Sequence, residues 1–91
     1  MRVLWTPRAA SDLEHAANYI ADRNPDAAIK VAAKIYNRMM ALEATPEIGR
    51  IGAVQGTREI VFHPWPYIAV YKISRGAIRI ILIRHASRQY P

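Results

Sequence analysis

The stretch 57-TREIVFHPWPYIAVYKISRGAIRIILIR-84 decides the fold. It is rich in Ile, Val, Tyr and Phe, the residues that fit a pleated, half-buried surface. Two interruptions cut it. His63-Pro64-Trp65-Pro66 cannot continue a ladder, because its prolines carry no N–H, so the chain turns there. Ser74-Arg75-Gly76 is compact enough for a hairpin turn. The pieces 57–62, 67–73 and 77–84 therefore predict three strands joined by short turns, an antiparallel meander.

Upstream of the meander the period changes. Thr6 is a capping residue and Pro7 suits a first helical position, where the missing N–H costs nothing. Ala9, Leu13, Ala16, Ala17 and Ile20 then recur at intervals of three and four, which predicts a helix over 7–22. Asp12 and Glu14 lie near its first turns, where negative charge suits the helix dipole. Asn24-Pro25 repeats the start signal. The second stripe reads as Ala28 or Ile29, Ala32, Ala33, Tyr36, Met39 or Met40, and Leu42, with Lys30, Lys34 and Arg38 outside it. Thr45-Pro46 ends it. So short a link makes the helices antiparallel neighbours, and both stripes are too wide to be covered by the other helix alone. Residues 46–56 read as a loop with Gly49 and Gly52 as turn residues. Residues 2–5 read as a short strand added to the meander. The expectation is a single domain over 1–91, an α+β fold of order βααβββ, with the αα-hairpin packed on one face of an antiparallel sheet.

Charge divides the chain in the same place. Residues 1–49 carry six basic and six acidic side chains, and residues 50–91 carry seven basic side chains against Glu59 alone, so the whole formal charge of +6 belongs to the strand-rich half. A neutral helical half joined to a cationic sheet half points to one surface meant for a polyanion or an acidic protein. The chain has no cysteine, hence no disulfide framework and no thiolate nucleophile, which fits a reducing cytosol. His15, His63 and His85 lack metal-ligand spacing, and the glycines do not form a phosphate loop, so neither a metal site nor a cofactor is expected. No apolar run approaches the ~18 residues of a membrane span, and the charged start does not read as a signal peptide.

Alternation sorts the strand residues by face. In 57–62, Arg58, Ile60 and Phe62 oppose Thr57, Glu59 and Val61. In 67–73, Ile68, Val70 and Lys72 oppose Tyr67, Ala69, Tyr71 and Ile73. In the last strand, Ile78, Ile80 and Leu82 oppose Arg79, Ile81, Ile83 and His85. One face packs on the helices, and the other is left with Arg and Tyr groups on it. Arg75 and Arg79 read first as solubilising residues. Arg50, Arg58, Arg84, His85, Arg88 and Tyr90 stand out as a group, because Arg offers a planar fork that fits phosphate or carboxylate. His85 has a side chain that titrates near neutrality. It reads equally as an acid or base and as a cap for the strand end. Met39 and Met40 belong either to the core or to a docking groove, and Trp65 reads as partly buried.

The ordered set Ala10-Ser11-Asp12-Leu13, Tyr19-Ile20, Asn24-Pro25, Pro46-Glu47-Ile48-Gly49-Arg50, Gly56-Thr57-Arg58-Glu59, Tyr67-Ile68-Ala69-Val70-Tyr71 and Ile80-Ile81-Leu82-Ile83-Arg84-His85, closing with Arg88 and Pro91, resembles the RelE/ParE superfamily of toxins. The resemblance implies the growth-inhibiting toxin of a bacterial type II toxin–antitoxin module, of the plasmid-stabilising kind. Such a toxin is cytoplasmic and is held inactive in a hetero-oligomer with its antitoxin.

Two activities occur in that superfamily. The RelE-like branch is a ribosome-dependent mRNA endonuclease, and on that reading Arg58, His85, Arg88 and Tyr90 are the candidate catalytic residues. Its members carry an Arg directly after the Tyr that opens the middle strand of the meander. Here Ile68 stands in that place, which counts against ribonuclease chemistry, since such sites work largely by charge stabilisation. The ParE-like branch is similar in having an apolar residue there and the ending Ile81-Leu82-Ile83-Arg84-His85. It implies a protein that binds DNA gyrase and is not an enzyme. Arg50, Arg58, Arg79 and Arg84, with Met39 and Met40, are then the candidates for contact with target or antitoxin. The ParE-like reading is favoured.

Overall fold

Thr6 opens the first helix as its sequence predicts: its Oγ1 accepts the Ala9 N–H at 3.1 Å, with Pro7 in the first turn. In the computed structural model, which describes residues 1–87, strand β1 (Arg2–Trp5) leads into α1 (Pro7–Ala21) and α2 (Pro25–Met40). Asn24 caps α2 by accepting from Ala27 N at 3.1 Å, and a 3₁₀ turn, Ala41–Glu43, finishes the hairpin. Strands β2 (Arg50–Ile51), β3 (Arg58–Val61), β4 (Tyr67–Ser74) and β5 (Ala77–His85) follow. The meander β3–β4–β5 is antiparallel, as expected. Arg75 and Gly76 both have positive φ, 52° and 73°, which makes the β4–β5 link a primed hairpin turn.

Two features of the sheet differ from the sequence reading. Strand β1 joins the outer edge of β5 in parallel, Arg2 opposite Ala77 through Trp5 opposite Ile80, so the sheet is mixed, in the order β1-β5-β4-β3-β2. The α1–α2 hairpin carries the chain from β1 to β2 on the opposite edge of the sheet, and the meander then returns to β5 beside β1, the long connection that a parallel neighbour requires. The second difference is β2, which falls in the segment read as loop. Two residues are too few for periodicity to register.

The core lies between the sheet and both helices and is built from Ala9, Ala16, Val31, Ile35, Met39 and Leu42 against Ile60, Tyr71, Ile78, Ile80 and Ile83. The buried row of α2 is therefore Ala28, Val31, Ile35 and Met39. Of the row read from the sequence, Ile29, Ala33 and Tyr36 are exposed. The helix carries two adjacent apolar rows about 100° apart, and periodicity cannot choose between them. The tyrosines are also corrected: Tyr67 and Tyr71 face the helices and are buried, so the helix-free face holds the cations without them.

Strand β5 changes phase partway along. Val70 pairs with Leu82 but Tyr71 pairs with Ile80, so Ile81 has no partner on β4. This β-bulge reverses the alternation beyond it. Ile83 joins Ile78 and Ile80 on the helix side, and Leu82 turns to the other face, contrary to the sequence reading.

Candidate functional site on the sheet

On the helix-free face the register places Glu59 of β3 between Arg50 of β2 and Val70 of β4. Glu59 is 4% exposed. Its Oε1 accepts from Arg50 Nε at 3.1 Å and Arg50 Nη2 at 2.9 Å. Its Oε2 accepts from Ala53 N at 3.4 Å and lies 4.0 Å from Arg84 Nη2. Burying a carboxylate is tolerable only with such partners. Arg84 reaches Glu59 because of the β5 bulge, which turns it to this face opposite Ile68.

Farther along the same face Lys72 and Arg79 sit directly opposite one another, with Leu4 beyond Arg79 on β1. Like charges facing across a strand pair are unfavourable. Ile68, Val70 and Leu82 form an apolar floor between the two groups and are buried, although both helices lie on the other side. The result is a basic surface, Arg50, Lys72, Arg79 and Arg84, in which the single acid is already engaged.

The other sequence candidates are placed elsewhere. Arg58 lies on the helix side, paired with Tyr71, and its Nη1 donates to the carbonyls of Glu47 at 3.0 Å and Gly49 at 2.9 Å. Tyr71 Oη donates to Pro46 O at 2.7 Å and accepts from Gly49 N at 2.9 Å. A Cβ on Gly49 would lie 2.7 Å from that hydroxyl, so glycine is required there. Arg58 and Tyr71 together knit the 46–50 segment that delivers Arg50. His85 pairs with Tyr67 and meets its ring edge-on at 5.8 Å. Its Nδ1 accepts from Ser87 N at 3.2 Å and lies 2.7 Å from Ser87 Oγ. That is the strand-end cap foreseen as one of its two roles. Arg58 and His85 are not brought together, since their partners on β4 are four residues apart, about 13 Å along a strand. Arg88 and Tyr90 lie outside the described residues. Among the described residues no three His, Cys, Asp or Glu are grouped to hold a metal ion, and no helix is long and apolar enough to cross a membrane.

Met39 has no exposed surface and is a core residue rather than a contact residue. Met40 is half-buried beside an outer row on α2 in which Ile29 is 70% and Tyr36 48% exposed. Tyr36 stacks on Trp5 of β1, ring centroids 5.8 Å apart and planes 12° off parallel. This is the uncovered apolar surface expected of so small a domain. Glu59 was missed as a site residue. Its signal was there: the only acid of the basic half, set in an apolar strand.

Fold and site thus define a small α+β protein with a basic sheet face on one side and an apolar helix row on the other. The family described as ParE toxin of type II toxin-antitoxin system, parDE, matches residues 3–90. Y4kP of Sinorhizobium fredii (strain NBRC 101917 / NGR234) is 41% identical over 90 residues, covering 99% of this chain and 93% of that one. Toxin RelE2 of Caulobacter vibrioides is 38% identical over 87 residues, covering 96% and 97%. A chain of the chromosomal ParDE TA system from P. aeruginosa has a TM-score of 0.86 at 27% identity, covering 96% of this chain and 97% of its own. The chain belongs to the ParE toxin family of type II toxin–antitoxin systems, within the RelE/ParE superfamily.

Proposed function

We propose that this toxin acts in the cytoplasm by binding DNA gyrase through its basic sheet face, and that a cognate antitoxin neutralises it by covering the outer row of α2. The observation that carries this reading is the ParE family match over 3–90. Two structural observations support it. Ile68, standing where the RNA-cleaving branch has Arg, is a buried part of the apolar floor. The Arg58 guanidinium is committed to loop carbonyls, a structural duty. The facing pair Lys72 and Arg79 becomes favourable when a negatively charged surface lies over it. The outer row Ile29, Ala33, Tyr36 and Met40, flanked by Lys30 and Lys34, suits an amphipathic segment with acidic flanks.

The test is gyrase supercoiling with purified toxin, with and without antitoxin. Inhibition relieved by antitoxin is expected; full supercoiling at a large excess of toxin overturns the gyrase reading. The relative named Toxin RelE2 keeps the messenger RNA endonuclease as the second reading. Separate labelling of protein and DNA synthesis after induction discriminates them. DNA synthesis stops first on the gyrase reading, and translation stops first on the other.

A further inference from the structure

We infer that Asp12 of α1 is a positioning residue for the cationic cluster on the opposite face of the sheet; this rests on the sheet face being the contact surface for the target. Strand β1 pairs with β5 only from Ala77 to Ile80. Beyond Ile80, no strand among the described residues lies beside that edge of β5, and the start of α1 takes its place. Thr6 Oγ1 donates to Ile80 O at 2.7 Å and Ile81 O at 3.0 Å, and Thr6 N reaches Ile80 O at 3.2 Å. Asp12 Oδ2 accepts from Ile83 N at 3.0 Å. These contacts bracket the bulge at Ile81, one on each side.

The bulge decides which side chain meets Glu59. With Ile81 left out of the ladder, Arg84 lies opposite Ile68 on the helix-free face, and Ile83 enters the core. If Ile81 were drawn back into the ladder, the period of two would turn Arg84 toward the helices and Ile83 outward. That arrangement buries a guanidinium, so loss of the anchor frays the second half of β5 instead of cleanly flipping it. Either way Arg84 leaves Glu59. Asp12 also holds Arg8, whose Nε lies 3.1 Å from both carboxylate oxygens. Arg8 is largely exposed, so what β5 needs from Asp12 is an acceptor, and Asn supplies one as well.

The experiment compares Asp12→Ala, Asp12→Asn, Arg8→Ala and Arg84→Ala in the full-length toxin. It reads growth inhibition on induction, hydrogen exchange of the Ile83 amide and the Arg84 Nε–H resonance. For Asp12→Ala, the Ile83 amide exchanges ten- to a hundredfold faster, roughly the loss of one part-buried hydrogen bond. The Arg84 resonance moves, and growth inhibition falls to the level of Arg84→Ala. Asp12→Asn and Arg8→Ala keep all three near the parent. Should Asp12→Ala not fold, Thr6→Val is expected to show the same losses, and parental behaviour there overturns the inference. An Asp12→Asn variant as weak as Asp12→Ala overturns the acceptor role. If Arg84→Ala is weak while Asp12→Ala is fully toxic, the contact surface stands and the positioning role falls. If Arg84→Ala itself is fully toxic, the contact surface falls, and this inference with it.

Discussion

Glu59 bridges two arginines, and the longer contact is expected to be the stronger. Arg50 Nη2 lies 2.9 Å from the carboxylate and Arg84 Nη2 4.0 Å, but their side chains are 56% and 16% exposed. For Arg50, solvent screens the charge and the long side chain loses freedom, so the pair is worth ~0.2–1 kcal/mol. For Arg84, 4 Å at an effective dielectric of about 20 gives roughly 4 kcal/mol of gross attraction. Desolvation removes much of it, leaving about 1–2 kcal/mol. Double-mutant cycles of Glu59→Gln with Arg84→Met and with Arg50→Met, read by denaturant unfolding of the purified toxin, separate the two. Raising salt should shrink the Arg50 coupling and largely spare that of Arg84. Glu59→Gln alone should cost about 2 kcal/mol, a fall in Tm of roughly 8–16 °C for a domain of this size. An Arg50 coupling equal to or larger than that of Arg84 would refute the claim that burial outranks distance here.

Tyr71→Phe leaves Pro46 O and Gly49 N without the hydroxyl that now serves both; a loss of about 2–3 kcal/mol is expected by thermal unfolding, together with weaker growth inhibition because the 46–50 segment carries Arg50. Arg75 is exposed and holds φ 52°, a left-handed conformation that costs a non-glycine residue roughly 1 kcal/mol in backbone strain, so Arg75→Asn should stabilise by about 0.5 kcal/mol without changing toxicity, and a lowered Tm would contradict the turn assignment.

Local chemistry carried most of the fold. Thr6-Pro7 and Asn24-Pro25 each marked a helix start within a residue, and the prolines at 64 and 66 with Arg75-Gly76 divided the meander correctly. What escaped has a common cause: it depends on which neighbour a segment meets. The parallel pairing of β1 is a choice between sheet edges, which four residues of sequence do not encode. The bulge at Ile81 falls inside the apolar run Ile80–Ile83, where alternation cannot locate a slip; its trace in the sequence is the odd spacing of Arg79 and Arg84, five residues apart yet on one face. The site was half legible. Arg50, Arg79 and Arg84 were picked out and do share a face, whereas Arg58 and His85, chosen for the same chemical reasons, have structural partners. Glu59 went unrecognised because a lone acid beside Arg58 reads as that residue's neighbour, when its partners are Arg50 across the ladder and Arg84 two strands away.

The two rows on α2 give the remaining argument a test. The inner row fills the core, so mutating it would confuse folding with recognition. The outer row does not: Ile29 is 70% exposed, and changes at so open a position stay within about 0.5 kcal/mol of the parent stability. Ile29→Glu therefore leaves the toxin folded and toxic. On the proposed complex it sets a charge against the apolar side of the antitoxin segment, and losing even ~1.5–3 kcal/mol of side-chain burial weakens binding about ten- to a hundredfold. Cells co-expressing Ile29→Glu toxin with the antitoxin should stop growing at antitoxin levels that fully protect against the parent, and titration of the purified pair should show the matching loss of affinity. If protection and affinity are unchanged, the antitoxin does not lie on this row, and the apolar surface of α2 has to be explained by another partner.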